Sequence, residues 1–184
     1  MLKRDFIRNI LLGVIALAVL LCLHFFVFSS YSVTENDANA YLKAGDLVVL
    51  NKNEAPNYKD FVVYKVGSKS YLGRVIGKER DSVTYMDDIF YLNNTVEDQS
   101  YLSSLKDAYA AADHQMSFTS DFTIQTITKD KYSQIPEDYY LILNDNRQNT
   151  KDSRTFGLIK KSQIRGVVSF KLLPLKDFGF IKTE

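Results

Sequence analysis

Side chains suited to proton transfer or bond making are spread along this chain, and one stretch gathers several kinds of them together. Leu143 to Ile159 reads LNDNRQNTKDSRTFGLI. It holds the carboxylates Asp145 and Asp152, the guanidiniums Arg147 and Arg154, the hydroxyls Thr150 and Ser153, and the amide Asn146. On residue types alone this is a charged loop closed by its own hydrogen bonds. A hydroxyl becomes a useful nucleophile only with a base beside it, and neither Ser153 nor Ser70 has one in view. The histidines, His24 and His114, stand about ninety residues apart without metal-ligand spacing, so neither a metal nor another cofactor is expected. His114 reads as a surface residue. The lone cysteine, Cys22, lies in an apolar run, which excludes a disulfide framework.

The elements that must position these groups begin with an anchor. The start, MLKRDFIRN (residues 1–9), is basic, with Lys3, Arg4 and Arg8 against Asp5. Residues 10–28 follow as an uncharged apolar run of about nineteen residues, roughly 28 Å as a helix, which matches the hydrocarbon thickness of a bilayer. His24 falls late in this run, near the interface. Basic residues before the run and none just after it place the N-terminus inside the cell and residues 29–184 outside. The rival is a cleaved secretory signal. Ala38-Asn39-Ala40 fits the small-x-small cleavage pattern, but it lies about ten residues beyond the apolar run, and the run is longer than a signal h-region.

Beyond the anchor the chain is one domain rich in β signals. DLVVLNK, DFVVYKV, SYLGRVIG, YYLILND and IRGVVSFKLLPL read as strands, and SVTYMDD with IFYLNNT reads as a hairpin. Residues 97–134 form an inserted segment in which SYLSSLKDAYAAADHQM suits a helix and FTIQTITK a strand. The expected fold class is mainly β, an antiparallel sheet folded on itself as a barrel or sandwich. A net charge of +1 gives no electrostatic reason to expect nucleic acid.

The run from Leu143 to Ile159 resembles the Gly-Asp-Asn-Arg-x-x-Ser-x-Asp-Ser-Arg-x-x-Gly box of bacterial type I signal peptidases, the S26 family. Asp145, Asn146, Arg147, Asp152, Ser153, Arg154 and Gly157 fit it, while Asn144 replaces a glycine and Thr150 a serine. Gly45 and Asp46 resemble the family's Gly-Asp strand. Arg74, Val75, Ile76, Gly77, Asp81 and Val83 resemble its Lys-Arg-Val-Ile-Gly-x-x-Gly-Asp-x-Val box. The resemblance covers essentially the whole chain and implies a membrane-tethered signal-peptidase-like β domain.

Family members use a serine nucleophile and a neutral lysine base. The resemblance puts Asp37 at the serine and Gly73 at the lysine, so no catalytic residue is expected to be active. Asp37 is a carboxylate, and Gly73 has no group to move a proton. Thr150 falls where a hydroxyl orients the lysine. Arg74, Asp152 and Arg154 suit a buried ion-pair network, with Asp145, Asn146, Arg147 and Ser153 as scaffold. Asp37 also suits a cap on a helical turn over ANAYLKAG. Asp37 and Asp152 sharing a proton would need one raised pKa, which neighbouring arginines oppose.

Family members lacking the dyad, the SipA type, are associated with pilus assembly in Gram-positive bacteria. The resemblance therefore implies a non-catalytic chaperone or assembly factor for pilin polymerisation, binding an exported chain beside a sortase by strand addition. The alternative is an active type I signal peptidase that processes signal peptides during protein secretion. It would need another register, with Ser29, Ser30 or Ser32 as nucleophile and Lys69 as base. Asp37 and Thr150 are expected to face one cavity that Gly73 leaves open.

Overall fold

The computed structural model describes residues 2–112 and 116–181, so His114 lies outside the described residues. Helix α1 runs over Leu2–Phe26. Its stretch Arg4–His24 is long and apolar enough to cross a membrane, and none of its window is buried against the domain. The helix takes in most of the basic start and stops short of Phe28, which opens strand β1 (Phe28–Ser32). The expected boundary at residue 28 therefore moves back, because Phe28 pairs with Asn51 in a sheet. The helix end is tied to the sheet: Lys52 Nζ donates to the His24 carbonyl at 3.0 Å.

The remaining strands are β2 (Leu47–Asn51), β3 (Phe61–Val66), β4 (Lys69–Gly77), β5 (Val83–Met86), β6 (Ile89–Leu92), β7 (Thr95–Val96), β8 (Phe122–Thr123), β9 (Tyr139–Leu143), β10 (Ile159–Lys160), β11 (Ile164–Leu173) and β12 (Gly179–Phe180). Three short helices join them: α2 (Ser103–Ala111), α3 (Ile124–Thr128) and α4 (Ser153–Phe156). The large sheet has the order β1-β2-β11-β3-β4-β9-β10 with β12 beside β11, and the small one runs β7-β6-β5-β8. Pairing is antiparallel in both, as the short strands and frequent turns imply.

Local chemistry explains the turns. Asp87 and Asp88, and again Asn93 and Asn94, hold positive φ at both central positions of two-residue loops. That is the type I′ geometry that lets strands keep their twist. The β5–β6 hairpin read from the sequence is therefore present, and β7 extends it. Residues 97–134, the segment read as inserted, pack into the domain. They supply β8 to the small sheet and Leu102, Phe118, Phe122 and Ile124 to a core shared with Ile76, Leu141 and Leu143.

The strand expected at FTIQTITK is mostly helix. Only Phe122 and Thr123 extend. Thr123 then caps α3, accepting from the Thr126 N–H while Thr126 Oγ1 accepts from the Thr123 N–H. Apolar alternation breaks at Thr126, and a reciprocal cap satisfies two donors that a two-stranded edge would leave open.

Candidate functional site at the junction of β4 and β9

Register places the charged box. Arg74 lies opposite Leu143, so β9 ends where the loop of residues 144–152 begins. Asp145 sits two residues on and meets Arg74 side-on. Arg74 Nε and Nη2 donate to Asp145 Oδ1 and Oδ2 at 2.8 and 2.7 Å, and Nη1 donates to the Lys59 carbonyl at 3.1 Å. The guanidinium also stacks at 4.0 Å from the Tyr101 ring centre and 4.1 Å from that of Phe61. Both charges are fully desolvated, so each is tolerable only because the other is there.

The expected network of Arg74, Asp152 and Arg154 is instead two separate pairs. Asp152 belongs to Arg154, whose Nε and Nη2 reach its two oxygens at 3.0 and 2.7 Å. The reason is position: Asp152 caps α4, accepting from the Arg154 N–H and, across the loop, from the Asn144 N–H. Ser153 Oγ accepts from the Ile142 N–H at 2.9 Å and is buried. Its hydroxyl ties the loop to β9. Asn146 Oδ1 accepts from the Gln148 N–H within the loop.

Arg147 is buried, and among the described residues no carboxylate pairs with it. It donates to the Asn144 carbonyl, to Tyr85 Oη at 2.6 Å and to Thr119 Oγ1, and Tyr85 in turn donates to Gln99 Oε1. Tyr85 and Gln99 were not legible as partners, since they come from β5 and the segment after β7. Thr150 does not meet Asp37. It is exposed, and it lines a hollow with Phe122, Thr126, Ile127 and Arg154.

Asp37 ends a 3-10 turn over Glu35–Asp37, and no helix follows it, so it caps nothing on ANAYLKAG. Asn39 does that work, accepting from the Tyr41 and Leu42 N–H groups and closing a turn. The Asp37 carboxylate is buried and accepts three hydrogen bonds, from Tyr31 Oη at 2.6 Å, Thr34 Oγ1 at 2.5 Å and the Leu72 N–H at 3.0 Å. Burial and the adjoining carboxylate push the Tyr31 phenol up, so it stays a donor. The Asp37 N–H donates to the Thr34 carbonyl at 3.1 Å. The spacing T-x-x-D at residues 34–37 was the signal for one partner; Leu72 comes only with the fold.

Gly73 adjoins Asp37 in a hollow shared with Ala38, Leu72 and Asn144, too small to admit a water molecule. A Cβ on Gly73 would stand 2.7 Å from Ile142 Cγ2 and 3.1 Å from the Leu143 carbonyl oxygen. The expected open cavity is thus closed: the β9 side chain and backbone fill the space. Beside it opens a groove of about 520 Å³ lined by Thr34, Asp37, Lys69, Ser70, Tyr71 and Lys151, among others. Among the described residues neither Lys69 nor Lys151 makes an ion pair or a side-chain hydrogen bond. Ser29, Ser30 and Ser32 lie in β1, with β2, β11 and β3 between them and β4 in bonding order.

An antiparallel β domain behind one span-length helix, with an Asp-Asn-Arg and Asp-Ser-Arg loop at the β4–β9 junction, is a signal-peptidase architecture. Residues 6–173 match the family described as Signal peptidase, peptidase S26, and the chain belongs to that family. It is 34% identical over 171 residues to Signal peptidase I of Bacillus caldolyticus, covering 90% of this chain and 91% of that one. It is 31% identical to Signal peptidase IB of Staphylococcus aureus strain MRSA252, over 97% of this chain and 95% of the relative. The crystal structure of a signal peptidase I from Enterococcus faecalis V583 superposes with a TM-score of 0.57 at 30% identity, over 63% of this chain and 98% of that one.

Proposed function

We propose that this chain is a catalytically silent member of the signal peptidase family that binds an extended segment of an exported protein. The observation that carries the reading is the closure at Gly73. Proton abstraction from an attacking hydroxyl needs a base within roughly 3 Å. Position 73 offers no side chain, and Ile142 and the Leu143 carbonyl crowd the place where the first carbon of one would sit. Two further features support it. The Asp37 oxygens are committed to three donors, and the Asp37 N–H, which would otherwise be free to face a developing oxyanion, is spent on Thr34.

The exported partner is a pilin, with a sortase nearby, and the domain works on the extracytoplasmic face behind an N-in anchor. Resemblance to dyad-lacking members tied to pilus assembly supports this. Two experiments test the reading. Purified full-length protein incubated with a signal-peptide-bearing precursor is expected to leave it intact; cleavage overturns silence. Deletion of the gene is expected to reduce surface pilin polymers to monomers, and unchanged polymers overturn the assembly role.

The competing reading, an active type I signal peptidase, is favoured by the names of the relatives. It requires a hydroxyl and an amine in contact, so precursor cleavage decides between the two.

A further inference from the structure

We infer that the groove beside Asp37 selects an extended chain segment carrying an acidic side chain, with Lys69 and Lys151 as its counter-charges. This rests on the cleft-binding reading above and names the class of segment the cleft takes.

The strand edge comes first. β9 covers β4 only from Arg74 onward, so among the described residues no strand lies beside residues 69–73 of β4 on that side. The Leu72 N–H points there, since it meets Asp37 and not its cross-strand partner Val63. In an antiparallel pair, alternate residues direct both backbone groups the same way. The Ser70 N–H and carbonyl therefore face the groove as well, open to a strand laid alongside. Asp37 already occupies the donor at Leu72. An incoming chain thus finds a free donor at Ser70 alone, with the Ser70 and Leu72 carbonyls facing the same way as acceptors, and side-chain contacts must supply the rest of the recognition.

The charges around that opening are one-sided. Lys69 and Lys151 line the groove and are exposed. Arg165 Nη1 reaches Ser70 Oγ at 3.4 Å. Among the described residues that line the groove, Asp37 is the one carboxylate, and it is buried under three donors. Tyr71 and Phe156, ring centres 4.9 Å apart, give the groove an apolar wall. A segment with apolar residues for that wall and a carboxylate for the lysines complements this surface, and a basic segment is repelled by it.

The test uses the full chain in detergent and three short fluorescein-labelled peptides. All three are rich in valine and threonine, and they differ only in a central Glu, Gln or Lys. Fluorescence anisotropy is expected to give the Glu peptide an affinity about tenfold above the Lys peptide, a preference that shrinks at high salt. The double variant Lys69→Gln/Lys151→Gln is expected to level the three peptides, at little risk to folding because both side chains are exposed. Ser70→Pro removes the outward N–H without touching the β3 ladder and is expected to abolish binding of all three. Equal affinities in the unmodified protein, or a preference that survives the double variant, overturn the acidic selection and leave cleft binding standing. Binding untouched by Ser70→Pro places the peptides elsewhere and overturns the inference. If none of the peptides binds, the cleft-binding reading falls with it.

Discussion

Gly73 and Arg74 follow each other on β4, so their side-chain positions face opposite sides of the sheet. On one side Arg74 is wholly enclosed, forked onto Asp145 and stacked between Tyr101 and Phe61. On the other, Ile142 and the Leu143 carbonyl close over Gly73. The contrast separates what the fold requires from what a reaction would require. A buried guanidinium holds its carboxylate in place because losing either partner strands a charge in the core. No charge is held on the Gly73 side, where hydrocarbon and backbone fill the space and the sheet continues around them.

The largest effect expected from breaking this contrast is on the Arg74 side. Asp145→Ala leaves Arg74 buried without its partner and should lower unfolding free energy by about 3–5 kcal/mol, read as a lower denaturant midpoint. On the Gly73 side the expected cost is smaller and of opposite origin. Gly73→Ala overpacks against Ile142 and should cost about 1–3 kcal/mol, a cost that should shrink when it is measured in an Ile142→Ala background. The pair Gly73→Lys and Asp37→Ser alone should therefore fail to create peptidase activity in a precursor-cleavage assay.

Asp37→Asn sharpens the comparison further. It keeps an oxygen for the Leu72 N–H but puts an amide NH2 where Oδ2 accepts from Tyr31 and Thr34, so both hydroxyls must turn to accept, for a loss of about 1 kcal/mol in the same unfolding measurement. A pH effect is expected at Tyr58, which stacks on Phe90. Burial pushes the Tyr58 phenol up to about 12 from an ordinary 10.0. The unfolded chain ionises first, so this contribution is complete below the ordinary value and is lost as pH rises through the folded one. Tyr58→Phe should flatten that alkaline decline in the denaturant midpoint. The smallest effect belongs to Thr150→Ala, an exposed side chain away from Asp37, within about 0.5 kcal/mol of the unmodified protein.

Much of the box was legible because it is local. Asp152 and Arg154 are two residues apart, and an acid before a short helix finds its cap and its arginine within one loop. Arg74 with Asp145 was half legible: both positions stood out, but which acid Arg74 holds depends on β4–β9 register. Asp37 was misread as a helix cap because ANAYLKAG has fair helical composition, whereas Asn39 closes that stretch into a turn. FTIQTITK carried strand-formers and a capping box together, and the cap prevailed once the apolar alternation broke.

Residue types alone determined that Asp37 carries a carboxylate and no hydroxyl, that Gly73 has no group to move a proton, and that an apolar N-terminal run precedes a β domain. These follow from side-chain chemistry and periodicity, which need no neighbours. Tertiary structure decided that the space at Gly73 is closed, that Thr150 lies apart from Asp37, and that the edge of β4 at residues 69–73 borders a groove lined by Lys69 and Lys151. Those facts depend on which segments of a folded sheet come to lie beside each other, and strand register, unlike residue type, is settled only when the core packs.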